Sequence, residues 1–204
     1  MLYVKVISGG IGAGKTSLLH ALRSSCEDAV VFTEDVSAWQ FYLEKFYKYG
    51  NEYVFMLQKE VEAHFLNLTK QLEQLAEECT DKTKVAYVER SPADVLAVFL
   101  PLNKHILTAA EYECLEFSLM QFASRPVWMN ATYFLLECPS GEALRRIDSR
   151  NRPGEANISR EYLDRISLLY QLLKVTHEAI PLENPRNSPS HVAKIVEQII
   201  ASGQ

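Results

Sequence analysis

No run of apolar residues in this 204-residue chain approaches the roughly 18 that a membrane span requires. Met1 leads almost directly into a strand-like segment, so neither a membrane anchor nor a leader peptide is expected, and a cytoplasmic address is. Cysteine is sparse and scattered. Cys26, Cys79, Cys114 and Cys138 form no C-x-x-C pair, which argues against a zinc framework or a disulfide scaffold and for free thiols in a reducing compartment. Positive charge is in deficit, with 21 Lys and Arg against 26 Asp and Glu, a formal net charge of -5. A nucleic-acid surface, which draws its affinity from Lys and Arg on phosphates, is therefore not expected, and any basic patch must be local. Internal repeats and low-complexity tracts are also missing. At this length, one globular domain spanning residues 1–204 is expected to bury its own core.

Five short apolar or β-branched runs are present: Leu2 to Ile7, Ala29 to Thr33, Lys84 to Val88, Ala131 to Cys138 and Glu178 to Leu182. Longer segments with helical spacing separate them, the alternation of a parallel sheet covered by helices. The first run leads into Gly9-Gly10-Ile11-Gly12-Ala13-Gly14-Lys15-Thr16, followed by Ser17 and a helical stretch. This G-x-x-x-x-G-K-[ST] spacing lets successive backbone N–H groups turn onto a phosphate. Lys15 adds a positive charge, Thr16 a hydroxyl for Mg²⁺, and the helix N-terminus a partial positive charge. The fold class expected is α/β, a three-layer α/β/α P-loop NTPase sandwich with a five-stranded parallel sheet, and the chain is expected to bind a nucleoside triphosphate.

Between Val36 and Cys79, charged and apolar residues alternate in a long helical region, read as an insertion after the second strand. A helical pair, about Pro92 to Asn103 and Ala109 to Arg125, follows the third strand. The last helix is expected from about His191 to Ala201, after a loop with Pro185 and Pro189.

In a parallel sheet the ligand sits beyond the C-terminal strand ends, so three clusters become candidates. The second strand ends at Glu34, with Trp39 shortly after. Taken alone, Glu34 reads equally as a helix-capping acid. The third delivers Glu89-Arg90-Ser91, an acid suited to Mg²⁺ or its water beside an arginine suited to an oxyanion. The fourth leads to Arg145 and Arg146, then Arg150, Arg152, Pro153, Gly154 and Glu155, a concentration of arginine in an acidic chain that reads as a lid closing on phosphates.

The phosphate loop, Glu34 with Trp39, Tyr47 with Tyr53-Val54-Phe55-Met56-Leu57-Gln58, Glu89-Arg90-Ser91, and Arg146 to Glu155 together resemble the cellular and viral deoxynucleoside kinase family. The motifs span about Leu2 to Glu155. The resemblance implies an ATP-dependent kinase of nucleotide salvage for DNA synthesis, with Mg²⁺ as its metal. Glu34 would be the general base toward the nucleoside 5′-hydroxyl, and Arg90 would hold Glu34 and the reacting oxygen. Glu89 and Thr16 would serve Mg²⁺, and Lys15 with Arg146, Arg150 and Arg152 the phosphates. Tyr47 and Glu155 would bind the sugar 3′-hydroxyl. Gln58 would read the base edge, with Trp39, Phe55 and Phe99 around the ring. For the three aromatics, core packing is the competing reading. A homodimer is implied, through Ala93 to Asn103 and Tyr162 to Leu173. The apolar stripe Leu163, Ile166, Leu169, Tyr170 and Leu173 reads equally as core.

Departures from the family pattern bear on the substrate. Tyr53, Gly50 and Leu57 stand where tryptophan, proline and phenylalanine are common. Members preferring deoxycytidine or purines carry arginine and aspartate at positions aligning with Phe65 and Val95, so thymidine or another pyrimidine deoxynucleoside is expected here. The rival is a thymidylate or related nucleotide kinase, against which Glu34 argues, since a carboxylate beside the acceptor repels a phosphate. A GTPase would need N-K-x-D, and Asn103-Lys104-His105-Ile106 lacks the aspartate. A non-catalytic nucleotide-binding module is the remaining alternative, disfavoured by the presence of base, metal ligand, arginine and lid together.

Overall fold

The computed structural model describes residues 1–79, 82–184 and 188–202. Five strands, β1 (Leu2–Ser8), β2 (Val30–Phe32), β3 (Lys84–Glu89), β4 (Thr132–Glu137) and β5 (Ile180–Glu183), pair in parallel in the order β2-β3-β1-β4-β5. The central strand is the one that runs into the glycine-rich loop.

Successive side chains point to opposite faces, and here both faces are apolar, as a sheet covered on two sides requires. Val4, Val6, Ala86, Val88 and Leu135 turn to one layer, whereas Ile7, Tyr87, Phe134 and Leu136 turn to the other. The second layer is α1 (Lys15–Ser25) and α10 (Pro189–Ala201), which contribute Leu18, Leu19, Leu22, Ile195, Val196 and Ile199 at helical spacing. Lys5 lies buried on this face, and its Nζ donates to the carbonyl of Ile199 at 2.8 Å. That carbonyl belongs to the last turn of α10, where helix oxygens lack intrahelical donors and a cation is favoured.

The opposite layer carries most of the remaining helices. After β2 come a short 3-10 turn, Val36–Trp39, then α2 (Gln40–Tyr49) and the 28-residue α3 (Asn51–Glu78), which form the expected insertion. Phe65 and Thr69 of α3 pin it to the core: Phe65 meets Trp128 edge-on with ring centres 6.4 Å apart, and the Trp128 indole donates to Thr69 Oγ1 at 2.9 Å. Trp128 lies in the short α7 (Pro126–Met129). The segment after β3 is continuous helix over residues 92–103, with α4 (Pro92–Asp94) and α5 (Leu100–Asn103) joined by a π-helical turn, Val95–Phe99. Next is α6 (Ala109–Ala123), opened by a capping box between Thr108 and Glu111. Beyond β4 lie α8 (Ser140–Arg150), a 3-10 turn at Glu155–Asn157 and α9 (Arg160–Thr176).

Three local expectations change. Pro189 does not stop structure but opens α10 directly after the Ser188 cap, because a first-turn residue needs no amide hydrogen. Pro185 lies outside the described residues. The fifth strand begins at Ile180, since Glu178 sits in a left-handed turn at φ 48°. The expected dimer segments largely serve the core. Ala93, Val95, Val98, Leu100 and Leu102 are buried, as are Leu163, Ile166, Tyr170 and Leu173, and Leu169 is partly so. The apolar side chains that α9 leaves exposed are Leu168, Leu172 and Val175. All four cysteines are free thiols. Among the described residues no helix is long and apolar enough to cross a membrane.

Candidate active site

The loop between β1 and α1 is shaped by close backbone approaches. Gly9 has φ +146°, and a Cβ there would meet the Leu136 carbonyl oxygen at 2.7 Å. Gly12 has φ +76°, and its Cβ would meet the Ala143 carbonyl oxygen at 2.6 Å. Any other residue would be strained and would also collide with β4 or α8. A cavity of about 690 Å³ opens in front of the loop, walled by Ile11, Gly12, Gly14, Lys15, Thr16 and Ser17. Gly9, Gly10 and Ala13 are not part of that wall. They shape the loop from behind, through carbonyls that accept from Arg90, Lys15 and Arg146 respectively.

Lys15 is buried, with Nζ donating to the Gly10 carbonyl at 2.9 Å and lying 3.9 Å from Glu89 Oε1. Burial, and after it the charge of Arg90, lowers its pKa to about 8 against the opposing pull of Glu89, Glu34 and Asp94. The Thr16 hydroxyl donates to Glu89, with oxygens 3.1 and 3.2 Å away. The two expected metal ligands therefore meet beside the loop.

Glu34, just beyond β2, accepts from Nη1 of Arg90 at 2.5 Å. Arg90 follows the last residue of β3 with φ 61°, a left-handed conformation unusual for a residue with a Cβ. Its amide still donates to the Ile7 carbonyl of β1 at 3.2 Å, so the strand pairing continues while the side chain is re-aimed. Burial opposes the charge of Arg90, yet the carboxylates around it, Glu34 first, hold its pKa above the ordinary value. Its guanidinium also lies over the Phe99 ring, 4.8 Å from the centre.

The rest of the wall comes from the insertion, the segment after β3 and the lid. Trp39, Tyr47, Gln58 and Phe99 line it as expected, joined by Leu57, Val61 and Val95. The amide oxygen of Gln58 is buried with no hydrogen-bond partner among the described residues. Phe55 is not brought into the cavity and packs against the core instead. At about 100° per residue it lies roughly 160° around α3 from Leu57, on the far flank of the face that carries Leu57, Gln58 and Val61. Phe65 is likewise core rather than wall. His64 beside it meets Trp39 edge-on at 5.2 Å, and its Nε2 is buried without a hydrogen-bond partner among the described residues.

The arginines expected to form a lid are engaged with protein groups. Arg146 donates to the carbonyls of Ala13 at 3.0 Å and Asn184 at 2.9 Å, and pairs with Glu142, whose carboxyl Arg145 and Arg146 hold down at about 2. Arg150 forks onto the buried Glu155 at 2.7 and 2.8 Å, with Arg152 at 3.5 Å. Expected to meet a sugar hydroxyl, Glu155 instead holds in this structure the two arginines expected to meet phosphates. All three residues still line the cavity. Bonds from Gln40 Nε2 to the Pro153 carbonyl and from Asn157 Nδ2 to the Tyr47 carbonyl dock the lid on α2. Burial, then neighbouring Tyr162 and Glu155, raises the Tyr47 phenol above its ordinary pKa.

Sequence reasoning missed Asn103 and Tyr162, which also line the cavity. It also missed Tyr170, which reaches Arg90 from behind, and Asp94, which accepts from the Tyr170 hydroxyl. The Ser91-x-x-Asp94 spacing is a legible helix-start signal, but nothing in the sequence links it to Tyr170.

A family model described as deoxynucleoside kinase matches residues 6–199 of the chain. A thymidine kinase of Ictalurid herpesvirus 1 (strain Auburn) is 26% identical over 205 residues, covering 94% of this chain and 83% of its own. Among solved structures, deoxyadenosine kinase from M. mycoides, with products dCMP and a flexible dCDP bound, superposes with a TM-score of 0.72 over 98% of this chain and 97% of that one. At 20% identity that likeness speaks to the fold alone.

Proposed function

Because the chain belongs to the deoxynucleoside kinase family, we propose that it transfers the γ-phosphoryl group of ATP to the 5′-hydroxyl of a pyrimidine deoxynucleoside, thymidine foremost. The observation that carries the reading is the Glu34–Arg90 pair in front of Lys15 and the phosphate loop. A carboxylate at that place accepts a proton from a hydroxyl and repels a phosphate, which favours a nucleoside over a nucleotide as acceptor.

In the step proposed, the 5′-oxygen gives its proton to Glu34 and forms a bond to the γ-phosphorus as the bond to the bridging oxygen of ADP breaks. Arg90 orients Glu34 and faces the attacking oxygen. Lys15 and the loop amides hold the phosphates, and Arg146, Arg150 and Arg152 surround the transferring group. Positioning and charge supply most of the rate in such transfers. The Thr16 hydroxyl and the Glu89 carboxylate form an oxygen-only donor set at hydrogen-bond separation, which suits a hard cation. Mg²⁺ held there would neutralise phosphate charge.

Binding roles fall to the rest of the cavity. Tyr47 and Glu155 would take the sugar 3′-hydroxyl once Glu155 exchanges Arg150 and Arg152 for the substrate. The Gln58 amide would read the base, its unpartnered oxygen accepting the thymine N3–H, between Trp39 and Phe99. The apolar Val95 in that wall and the similarity to a viral thymidine kinase support the pyrimidine preference. Exposed Leu168, Leu172 and Val175 on α9, with Phe117 and Met120 on α6, support association as a homodimer.

Trp39 provides the test. Titration of each deoxynucleoside in the presence of Mg²⁺ and ADP, followed by tryptophan fluorescence, is expected to give tighter binding for thymidine than for deoxyadenosine or deoxyguanosine. Tighter purine binding overturns the pyrimidine assignment.

A further inference from the structure

Behind Arg90 lies a carboxylate that the phosphoryl-transfer step does not use. Asp94 is fully buried, and its Oδ2 accepts from Ser8 Oγ at 3.0 Å, the Ser91 amide at 2.8 Å and Ser91 Oγ at 2.9 Å. Its Oδ1 accepts from the Tyr170 hydroxyl at 3.0 Å. The Tyr170 oxygen in turn accepts from Nε of Arg90 at 3.3 Å. Tyr170 and both serines are buried as well.

We infer that Asp94 and Tyr170 are positioning residues that fix the Arg90 guanidinium for catalysis, through the relay Asp94 Oδ1, Tyr170 hydroxyl, Arg90 Nε.

A capping box at the start of α4 needs only the Ser91 amide donating to the Asp94 carboxylate and the Asp94 amide donating back to the Ser91 side chain, and such boxes work at exposed helix ends. The box therefore accounts for neither the complete burial nor the contacts to β1 and α9. A buried carboxylate is costly unless its oxygens are satisfied, and here four donors from three parts of the chain satisfy it. Those parts are the end of β1, next to the phosphate loop, the residue after Arg90, and α9 below the lid. Among the described residues no Lys, Arg or His forms an ion pair with Asp94, so the cation it serves is reached through Tyr170.

The tyrosine is suited to relay rather than to ionise. Burial, and with it the charge of Asp94, keeps its phenol protonated, so it can accept from Arg90 and donate to Asp94 at once. Arg90 then has three fixed attachments: Nε to Tyr170, Nη2 to the Gly9 carbonyl at 3.3 Å and Nη1 to Glu34. Two of the three survive when Glu34 takes a proton and its hold on Arg90 loosens, so the guanidinium stays aimed through the reaction. Its strained backbone at φ 61° supplies an added reason for anchoring from behind.

This inference rests on the assignment of Glu34 as base and Arg90 as its partner. The test compares Tyr170→Phe and Asp94→Asn with wild type, with kcat normalised to the concentration of nucleoside-binding sites so that a misfolded fraction does not count. Losing one hydrogen bond to a charged group is expected to lower kcat about tenfold while KM for either substrate moves less than about twofold. With Arg90→Lys already in place there is no Nε to hold, and Tyr170→Phe should cost less than about twofold more. An unchanged kcat in both variants overturns the inference, as does an equal loss with and without Arg90. Glu34→Gln assayed alongside separates this failure from that of the underlying reading. If Glu34→Gln is inactive and Tyr170→Phe is unaffected, only the positioning role is lost; full turnover in Glu34→Gln removes the base on which it depends.

Discussion

The Glu34 carboxylate lies 2.5 Å from Nη1 of Arg90, although 56 residues separate the two in sequence. The pairing follows from sheet order. β2 and β3 are neighbours in register Phe32↔Val88, so the residues just past their C-terminal ends emerge side by side. Since β3 also borders β1, the pair faces the phosphate loop. An acid, a guanidinium and a phosphate cradle thereby converge without any of them being close in sequence.

Replacing Glu34 by Gln keeps the shape and removes the base. Turnover should fall by about 10²-fold or more, with ATP binding nearly intact, because a positioned general base contributes on that order. Steady-state kinetics with an independent nucleotide-binding titration decide it. Unchanged turnover removes Glu34 from the mechanism.

Gln58→Leu tests the base reader. The buried amide oxygen has no partner within the described protein, so its proposed partner is the base. Losing that pairing should weaken nucleoside binding by about 1–3 kcal/mol, roughly 5- to 150-fold, and leave ATP binding unaltered. Equal nucleoside affinity in both proteins contradicts the assignment.

The pH profile should report Lys15. Its pKa in the folded protein is about 8, below its ordinary value of 10.5. As pH rises through about 8 the free enzyme loses the charge that meets the phosphates, so kcat/KM for ATP should fall there. Bound triphosphate favours the ammonium, so kcat at saturating ATP should hold to higher pH. Stability runs the other way: between pH 8 and 10.5 the unfolded chain binds this proton more strongly than the folded one, so Lys15 makes the free protein gain stability as pH rises. A limb at the same pH in kcat and kcat/KM would contradict the assignment.

Leu168 and Leu172 stand one turn apart on α9, 68% and 60% exposed. If they join two copies, the double change to Glu should convert a dimer to a monomer in light scattering at micromolar concentration. The core-facing stripe of α9 is untouched, so the fold should persist. A wild-type chain that is already monomeric contradicts the dimer.

Much of this was legible in the sequence, for identifiable reasons. The phosphate loop has a fixed spacing because its backbone geometry is fixed, and the strands announced themselves as apolar runs because both sheet faces are covered. Glu34 and Glu89-Arg90 could be placed because strand ends in a parallel sheet lead to the ligand side. Phe55 could not, since α3 is apolar on more than one side and tertiary packing decides which side meets the cavity and which the core. Pro189 is ambiguous in the sequence because a proline that ends structure and one that opens a helix differ only in what precedes them, here Ser188. Asp94 and Tyr170 were invisible because their link crosses 76 residues and joins two helices by one hydrogen bond. The pairing of Arg150 and Arg152 with Glu155 is not legible in the sequence, because it depends on how the loop after α8 folds back.

Phosphate transfer from ATP with Mg²⁺ to thymidine, deoxycytidine, deoxyadenosine, deoxyguanosine and thymidine monophosphate, compared as kcat/KM, separates a nucleoside kinase from a nucleotide kinase and ranks the bases. Transfer to nucleosides is expected, with thymidine highest and the monophosphate lowest. Transfer mainly to thymidine monophosphate would contradict the nucleoside kinase assignment and make Glu34 a structural acid.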